Sequence, residues 1–166
     1  MDALGSHQSP KRQLEIMKDP HVGSFAVIGL VLYLVTAYGF WVRLYACRSI
    51  SILMALPALF VLSRGLTAWF ALTLKKARSD GMLVQVTPRE KYPFRHLLWI
   101  GNGLALFVLF LASPTCLALA VWLGLWTGHY LWLCLKRYGG TTGDLSGYYL
   151  CGLEWLGLMW LAICLV

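Results

Sequence analysis

The residues best equipped for chemistry stand in KRYGGTTGDLSGYYLCGLE, residues 136–154. Gly139, Gly140 and Gly143 open the backbone to positive φ and to close approach by a ligand. Thr141 and Thr142 add hydroxyls, and Asp144 adds a carboxylate suited to a hard cation such as Mg²⁺. Asp144 also occupies an expected helix N-cap, one residue ahead of an apolar run. Two readings fit this stretch: a capped turn between helices, or a loop that handles phosphate and metal. It is not a P-loop, because no Gly-Lys-Ser/Thr follows at the required spacing.

Other polar residues fall into two groups. Lys18-Asp19 and Arg78-Ser79-Asp80-Gly81 are expected on the same membrane face as the glycine loop. Carboxylates beside Lys and Arg are what a Mg²⁺-dependent phosphoryl site requires, since the metal bridges phosphate oxygens and the cations offset leaving-group charge. Ordinary loop polarity explains Glu15 and Glu90; the SDG and GGTTGD settings single out Asp80 and Asp144. Arg64 and Glu154 instead lie inside apolar runs, where a charge is costly and needs a partner. Arg64 precedes Leu74 by ten residues and Glu154 follows Asp144 by ten. At about 1.5 Å per residue both sit roughly 15 Å below one face. They are expected to pair, as a strut or as a substrate contact. His7, His21, His96 and His129 show no HExxH spacing, and no Ser-His-Asp set can be assembled.

The elements that must position these residues are apolar. The chain has 166 residues, 59% hydrophobic and 13% charged, against about 45–50% and about 25% in ordinary globular domains. Uncharged runs predict spans near 25–42, 49–74, 97–112, 115–135 and 147–166. Helices are expected, because isolated strands cannot satisfy their backbone in lipid. The fold class is therefore all-α: one integral-membrane domain over residues 1–166, a polytopic bundle of about five transmembrane helices. Residues 1–24 form a polar opening segment. Ser9-Pro10 starts a short helix there, Pro20 and Gly23 stop it, and Leu14 with Met17 is expected to rest on the membrane surface. Gly124 and Gly128 fit small-residue helix packing, and His129 is expected to bond between helices. The five cysteines, in or beside apolar runs and without CxxC spacing, read as free, buried thiols.

The net charge of +7 comes without a basic stripe interleaved with aromatics, so nucleic acid is not the expected partner; the lipid bilayer is. Lys11, Arg12, Lys18, Lys75, Lys76, Arg78, Arg89, Lys91, Arg95, Lys136 and Arg137 fall on one side of a five-span topology, and Arg43 and Arg48 on the other. The positive-inside rule then puts the N-terminus and the motif loops in the cytoplasm.

EIMKDPHVGSFAV (15–27), SR (63–64), ARSDG (77–81) and GGTTGDLSG (139–147), in this order, resemble the adenosylcobinamide-GDP ribazoletransferase family, the cobalamin 5′-phosphate synthases. The resemblance covers nearly the whole chain. It implies a multi-pass bacterial inner-membrane enzyme requiring Mg²⁺, which joins adenosylcobinamide-GDP to α-ribazole or its 5′-phosphate and releases GMP. It assigns Asp2, Asp80 and Asp144 to metal and phosphate chemistry, with Lys18 and Arg78 beside them. Asp19, Arg64, Thr142 and Glu154 become substrate or phosphate contacts, and Gly139, Gly140 and Gly143 shape the loop. The family carries an acidic HxDGxADxxDxL motif, of which Asp2-Ala3-Leu4 matches only the tail. The expectation is a truncated member that makes no cobalamin by itself and does so once the upstream acidic motif is restored. A further family glutamate is replaced here by Cys151. The competing class is a non-enzymatic transport subunit or scaffold, whose functional charges should sit near the midplane rather than on one face. A homo-oligomer is left open.

Overall fold

In the computed structural model, residues 1–47, 49–79, 82–86, 95–112 and 115–164 are described. Every regular element among them is helical: α1 (Asp2–Gly5), α2 (Pro10–Ile16), α3 (Ser24–Cys47), α4 (Ile50–Thr73), α5 (Met82–Val86), α6 (Arg95–Ala112), α7 (Cys116–Trp132), and α8 (Gly143–Cys164). A π-helical turn over Leu133–Arg137 extends α7. Four helices are long and apolar enough to cross a membrane, Ser24–Cys47, Ile50–Thr73, Leu117–Arg137 and Gly143–Cys164, and His96–Ala112 is a shorter apolar helix. The protein is thus an all-α polytopic membrane bundle, as its uncharged runs predict.

α4 and α8 hold the bundle together. α4 packs on α6 and on α8, while α3 and α7 each pack on α8. Leu59, Leu62, Tyr149, Leu153 and Leu161 are buried at the centre. Small residues set the close approaches. A Cβ on Gly157 would meet Leu59 at 2.4 Å, and one on Gly152 would meet the Trp126 indole at 2.1 Å. By contrast, nothing lies within 4 Å of a Cβ built at Gly124 or Gly128. Gly65 of α4 is as tight as Gly152, a Cβ there meeting Asn102 Oδ1 of α6 at 2.1 Å. Packing glycines within this chain therefore lie on α4 and α8, and, against expectation, Gly124 and Gly128 do not serve as such. The periphery is apolar and open: Val27, Leu34 and Tyr38 of α3 and Leu104, Phe107 and Phe110 of α6 are exposed, as lipid-facing surface requires.

Several boundaries differ from those the sequence predicts. α3 runs on through Arg43 to Cys47, because helix geometry tolerates one long cation near its end, where it can snorkel outward. α4, by contrast, matches the run over 49–74 and continues across Pro57 and Ser63-Arg64-Gly65; a membrane helix absorbs a proline when its neighbours resatisfy the freed backbone. α8 begins at Gly143, ahead of the apolar run.

The apolar side of the opening segment faces the protein, where a membrane contact is expected from sequence. α2 starts at Pro10 with Ser9 as its N-cap residue, and Leu14 and Met17 pack against the protein core. Gln13, on the same face, is fully buried. Its Oε1 accepts hydrogen bonds from the Tyr138 hydroxyl (2.8 Å) and from Arg137 Nε (3.1 Å). One amide side chain therefore ties the N-terminal segment to the end of α7. The described cysteines, Cys47, Cys134, Cys151 and Cys164, are free thiols, but only Cys134 is buried; Cys151 and Cys164 are exposed on α8, whose apolar periphery accepts a thiol as readily as the core does.

Candidate functional site

The glycine loop is built against the chain that follows α4. Thr141 N–H donates to Lys75 O (2.7 Å) and Ala77 N–H donates to Thr141 O (2.9 Å), a short parallel bridge. The approach is so close that a Cβ on Gly140 would meet Lys75 O and Ala77 N at 2.5 Å. Gly139 turns the chain into this bridge at φ +69°, a left-handed conformation that a side chain would disfavour. The π turn just before adds an extra residue per turn, closed by Tyr138 N–H donating to Leu133 O (3.0 Å). It ends the helix with Tyr138 directed at Gln13.

Thr141 and Thr142 are both buried. Thr141 Oγ1 is hydrogen-bonded to the Tyr130 hydroxyl (2.8 Å) and to Ser146 Oγ (3.2 Å). Thr142 Oγ1 accepts Leu145 N–H (3.2 Å) and so caps α8. This corrects the expectation for Asp144, which lies in the first turn of α8 instead. A negative charge there suits the helix dipole, and its side chain is left to do something else. Gly143 has open space around its Cβ position, so its lack of a side chain is not demanded by packing.

Asp144 Oδ2 accepts Arg78 Nη2 at 3.1 Å, and Arg78 Nη1 also donates to Leu14 O (3.3 Å). Arg78 thereby joins α2, the post-α4 segment and α8. The Asp2 carboxylate accepts Gly23 N–H and Ala26 N–H, both at 2.8 Å, capping α3 from more than twenty residues upstream. Asp19 Oδ1 accepts His21 N–H (2.9 Å) and meets His21 Nδ1 (2.6 Å). The His21 amide first, and then its ring, hold the Asp19 carboxyl below its usual range. In the segment bridged to Thr141, burial lowers the Lys76 ammonium pKa, and Lys76 Nζ donates to Ala71 O.

These carboxylates converge. Asp2, Asp19 and Asp144 line one open cavity of about 230 Å³, with Met17, Pro20 and His21 on one wall and Leu145 and Tyr148 on another. Lys18 stands in the turn that leads to Asp19, its N–H bonded to Glu15 O (2.9 Å). Asp80 lies outside the described residues, two positions beyond Arg78.

Arg64 and Glu154 are not part of this cavity. They form the expected ion pair deeper in the bundle, with Ser63 Oγ donating to the same Glu154 oxygen (2.9 Å). The Arg64 guanidinium also lies over the Phe60 ring, 5.5 Å from its centroid.

Sequence reasoning overlooked Gln13, Tyr130, Ser146 and Tyr148. Gln13 had one legible sign: four residues before Met17 and beside Leu14, it is a polar residue on the apolar face of α2. His129 does bond between helices, Nε2 to the Tyr148 hydroxyl at 3.5 Å.

Among the described residues no group of three His, Cys, Asp or Glu side chains is close enough to hold a metal by itself. Mg²⁺ asks for less, since it is usually held by one or two carboxylates with phosphate and water completing the shell. Asp2 and Asp144, walls of one cavity, fit that smaller demand.

No solved structure matches the chain. It resembles adenosylcobinamide-GDP ribazoletransferases from several bacteria. The Lachnoclostridium phytofermentans protein is 34% identical over 90% of this chain and 57% of its own length. The Geobacillus thermodenitrificans protein is 37% identical over 96% of this chain and 63% of its own. The Ectopseudomonas mendocina protein is 33% identical over 98% and 64%. The chain thus spans less than two thirds of the length of these curated relatives. The family profile described as cobalamin-5-phosphate synthase matches residues 1–162. By that match the chain belongs to the cobalamin-5-phosphate synthase family.

Proposed function

We propose that the cavity lined by Asp2, Asp19 and Asp144 handles the phosphates in the transfer named for the chain's relatives. In that reaction a ribose hydroxyl of α-ribazole, or of its 5′-phosphate, attacks the corrinoid-linked phosphorus of adenosylcobinamide-GDP. A new P–O bond forms, the P–O bond to the GMP moiety breaks, and GMP leaves with the bridging oxygen. The observation that carries this reading is that three carboxylates from distant parts of the sequence line one cavity, with a half-buried arginine bonded to Asp144.

Each group has a physical task. Arg78 fixes the Asp144 carboxylate through one oxygen and is itself fixed by Leu14 O, so the carboxylate is oriented before any ligand arrives. Asp144 and Asp2, with Asp80 two positions beyond Arg78, are the carboxylates that would hold Mg²⁺. When bound, the ion would neutralise charge on the phosphate oxygens. Lys18 offers a cation beside Asp19 for the departing phosphate. The bridge between Thr141 and residues 75–77 holds both motifs at one spacing. By the positive-inside rule this face is cytoplasmic, the membrane is the bacterial inner membrane, and α6 serves as a fifth span.

The test uses membranes from cells that carry the gene at its own locus, supplied with adenosylcobinamide-GDP and α-ribazole. GMP release is expected to require Mg²⁺ and to be lost with Asp144→Asn. Release that persists undiminished in that variant, or in EDTA, overturns the reading.

A further inference from the structure

The cavity has one aromatic wall, and that wall continues outside it. Tyr148 lines the cavity and its ring packs against the Trp126 indole, centroids 5.0 Å apart. His129 lies 5.5 Å from Trp126 at 35° and 6.3 Å from Tyr148. The fan is held in place from behind. Trp126 Nε1 donates to Tyr149 O (3.1 Å), and the missing side chain at Gly152 lets the indole pack directly against α8. His129 stays exposed while Trp126 and Tyr148 are half-buried. Interfacial anchoring uses the same residue types, yet it does not call for rings locked together beside a cavity that carboxylates line.

We propose that Trp126, His129 and Tyr148 form the stacking surface for a planar heteroaromatic base, whose ribose phosphate then reaches the Asp2–Asp144 cavity. The assignment rests on the phosphate-handling reading of that cavity and adds to it the site of the base. Flat rings stack on aromatic faces whatever their substituents, so two bases share the required chemistry: the guanine of GMP and the benzimidazole of α-ribazole. Tyr148 is the pivot, because one side of it faces the cavity and the other the fan.

Equilibrium dialysis of the purified full chain in lipid nanodiscs, with Mg²⁺ present, tests this with radiolabelled GMP, α-ribazole 5′-phosphate and ribose 5-phosphate. Tyr148→Leu is expected to weaken one base-bearing ligand roughly tenfold and to leave ribose 5-phosphate unchanged. The ligand that weakens identifies the base. Tyr148→Phe, which keeps the ring and loses the bond to His129, should restore most of the affinity. His129→Leu, at an exposed position, is the second probe should Tyr148→Leu lower the melting temperature; it is expected to weaken the same ligand severalfold. Unchanged affinity in both leucine variants overturns the proposal and leaves the rings as membrane anchors. So does a wild-type chain that binds neither base-bearing ligand more tightly than ribose 5-phosphate. Asp144→Asn separates the two readings. If it alters no phosphate ligand while Tyr148→Leu still weakens one, the cavity reading fails and the stacking surface stands.

Discussion

Two arginine–carboxylate pairs in this bundle are built in opposite senses. At the cavity the Arg78 side chain is 16% exposed and the Asp144 side chain 58%. Deeper in the bundle the Arg64 side chain is 60% exposed and Glu154 only 12%. The first pair packs its cation and presents its anion; the second packs its anion and presents its cation. A presented carboxylate can take a metal, whereas a presented guanidinium can take an anion or reach outward along its apolar stem. The same two charges therefore serve different ends, and only the packing around them decides which.

The largest expected effect tests the deeper pair. Arg64→Met strands Glu154 in the bundle with Ser63 as its remaining described partner. Breaking a buried pair this way costs about 3–5 kcal/mol. Glu154→Gln strands an arginine that is already open, so its loss should be clearly smaller. The Arg64→Met/Glu154→Leu double variant should lose less than the two single changes added together, read as thermal stability in detergent. Equal losses for the two single variants would abolish the asymmetry, and strict additivity would abolish the pairing.

At the cavity the readout is activity rather than stability. Asp144→Asn should lower GMP release roughly hundredfold or more, as removal of a pre-organised charge at a reacting phosphate does. Arg78→Lys keeps the charge but loses the two-pronged link to Asp144 and Leu14. If Asp144 holds Mg²⁺ as proposed, this should cost roughly 10- to 100-fold, the usual range for a group that orients a metal-ligating side chain. If the lysine variant is worse than the asparagine variant, Arg78 itself touches substrate.

The comparison also shows what a sequence can display. Arg64 and Glu154 were legible as partners because each interrupts an apolar run at the same distance from one face, and helix rise turns that count into depth. The long helices were legible for the same reason, a run of uncharged residues having few alternatives to spanning. The cavity was legible only as motifs on a common face. That Asp2 caps α3, or that Thr142 rather than Asp144 caps α8, depends on where chain ends meet in space. Polar letters such as Gly143 and Asp144 hide the first turn of a helix whose hydrophobic signal starts later. Packing glycines were misread because Gly124 and Gly128 show a pattern, while Gly152 and Gly157 reveal their use only when Trp126 and Leu59 are seen against them. α2 was misread because a two-residue apolar stripe fits a membrane surface and a protein surface equally well.

A smaller effect concerns the strap that steadies the cavity and leaves the deeper pair alone. Gln13→Leu removes the acceptor shared by Tyr138 and Arg137. Leaving buried donors without a partner costs roughly 1–3 kcal/mol. The wild-type amide already has one buried, unbonded nitrogen among the described residues, Nε2, which argues for the lower part of that range. Proteolysis within residues 1–23 should accelerate, and the coupling energy of Arg64 and Glu154 should not change. A change in that coupling would mean that the two regions are mechanically one.

The smallest expected effect is a pH dependence carried by the same strap. Burial, the largest influence, raises the Tyr138 phenol above its ordinary value of 10.0, and the adjacent Arg137 charge opposes it in part. A raised folded-state pKa means that the folded form keeps a proton which the unfolded form gives up. The resulting stability is fully present below pH 10 and is lost as the pH rises through the higher folded value. Lys76 acts with the other sign: burial lowers its pKa from 10.5, so it favours folding increasingly as the pH climbs toward 10.5 from its lowered folded value. The two contributions overlap, which is why the wild-type curve alone says little. The difference between wild type and Tyr138→Phe isolates the phenol. It should be flat below pH 10 and should then shrink as the wild type loses its advantage, because a phenolate cannot donate to Gln13 Oε1. A difference that grows with pH would mean that Arg137 dominates and that Tyr138 is held as an anion, so that the strap would be an ion pair and Gln13 a bystander.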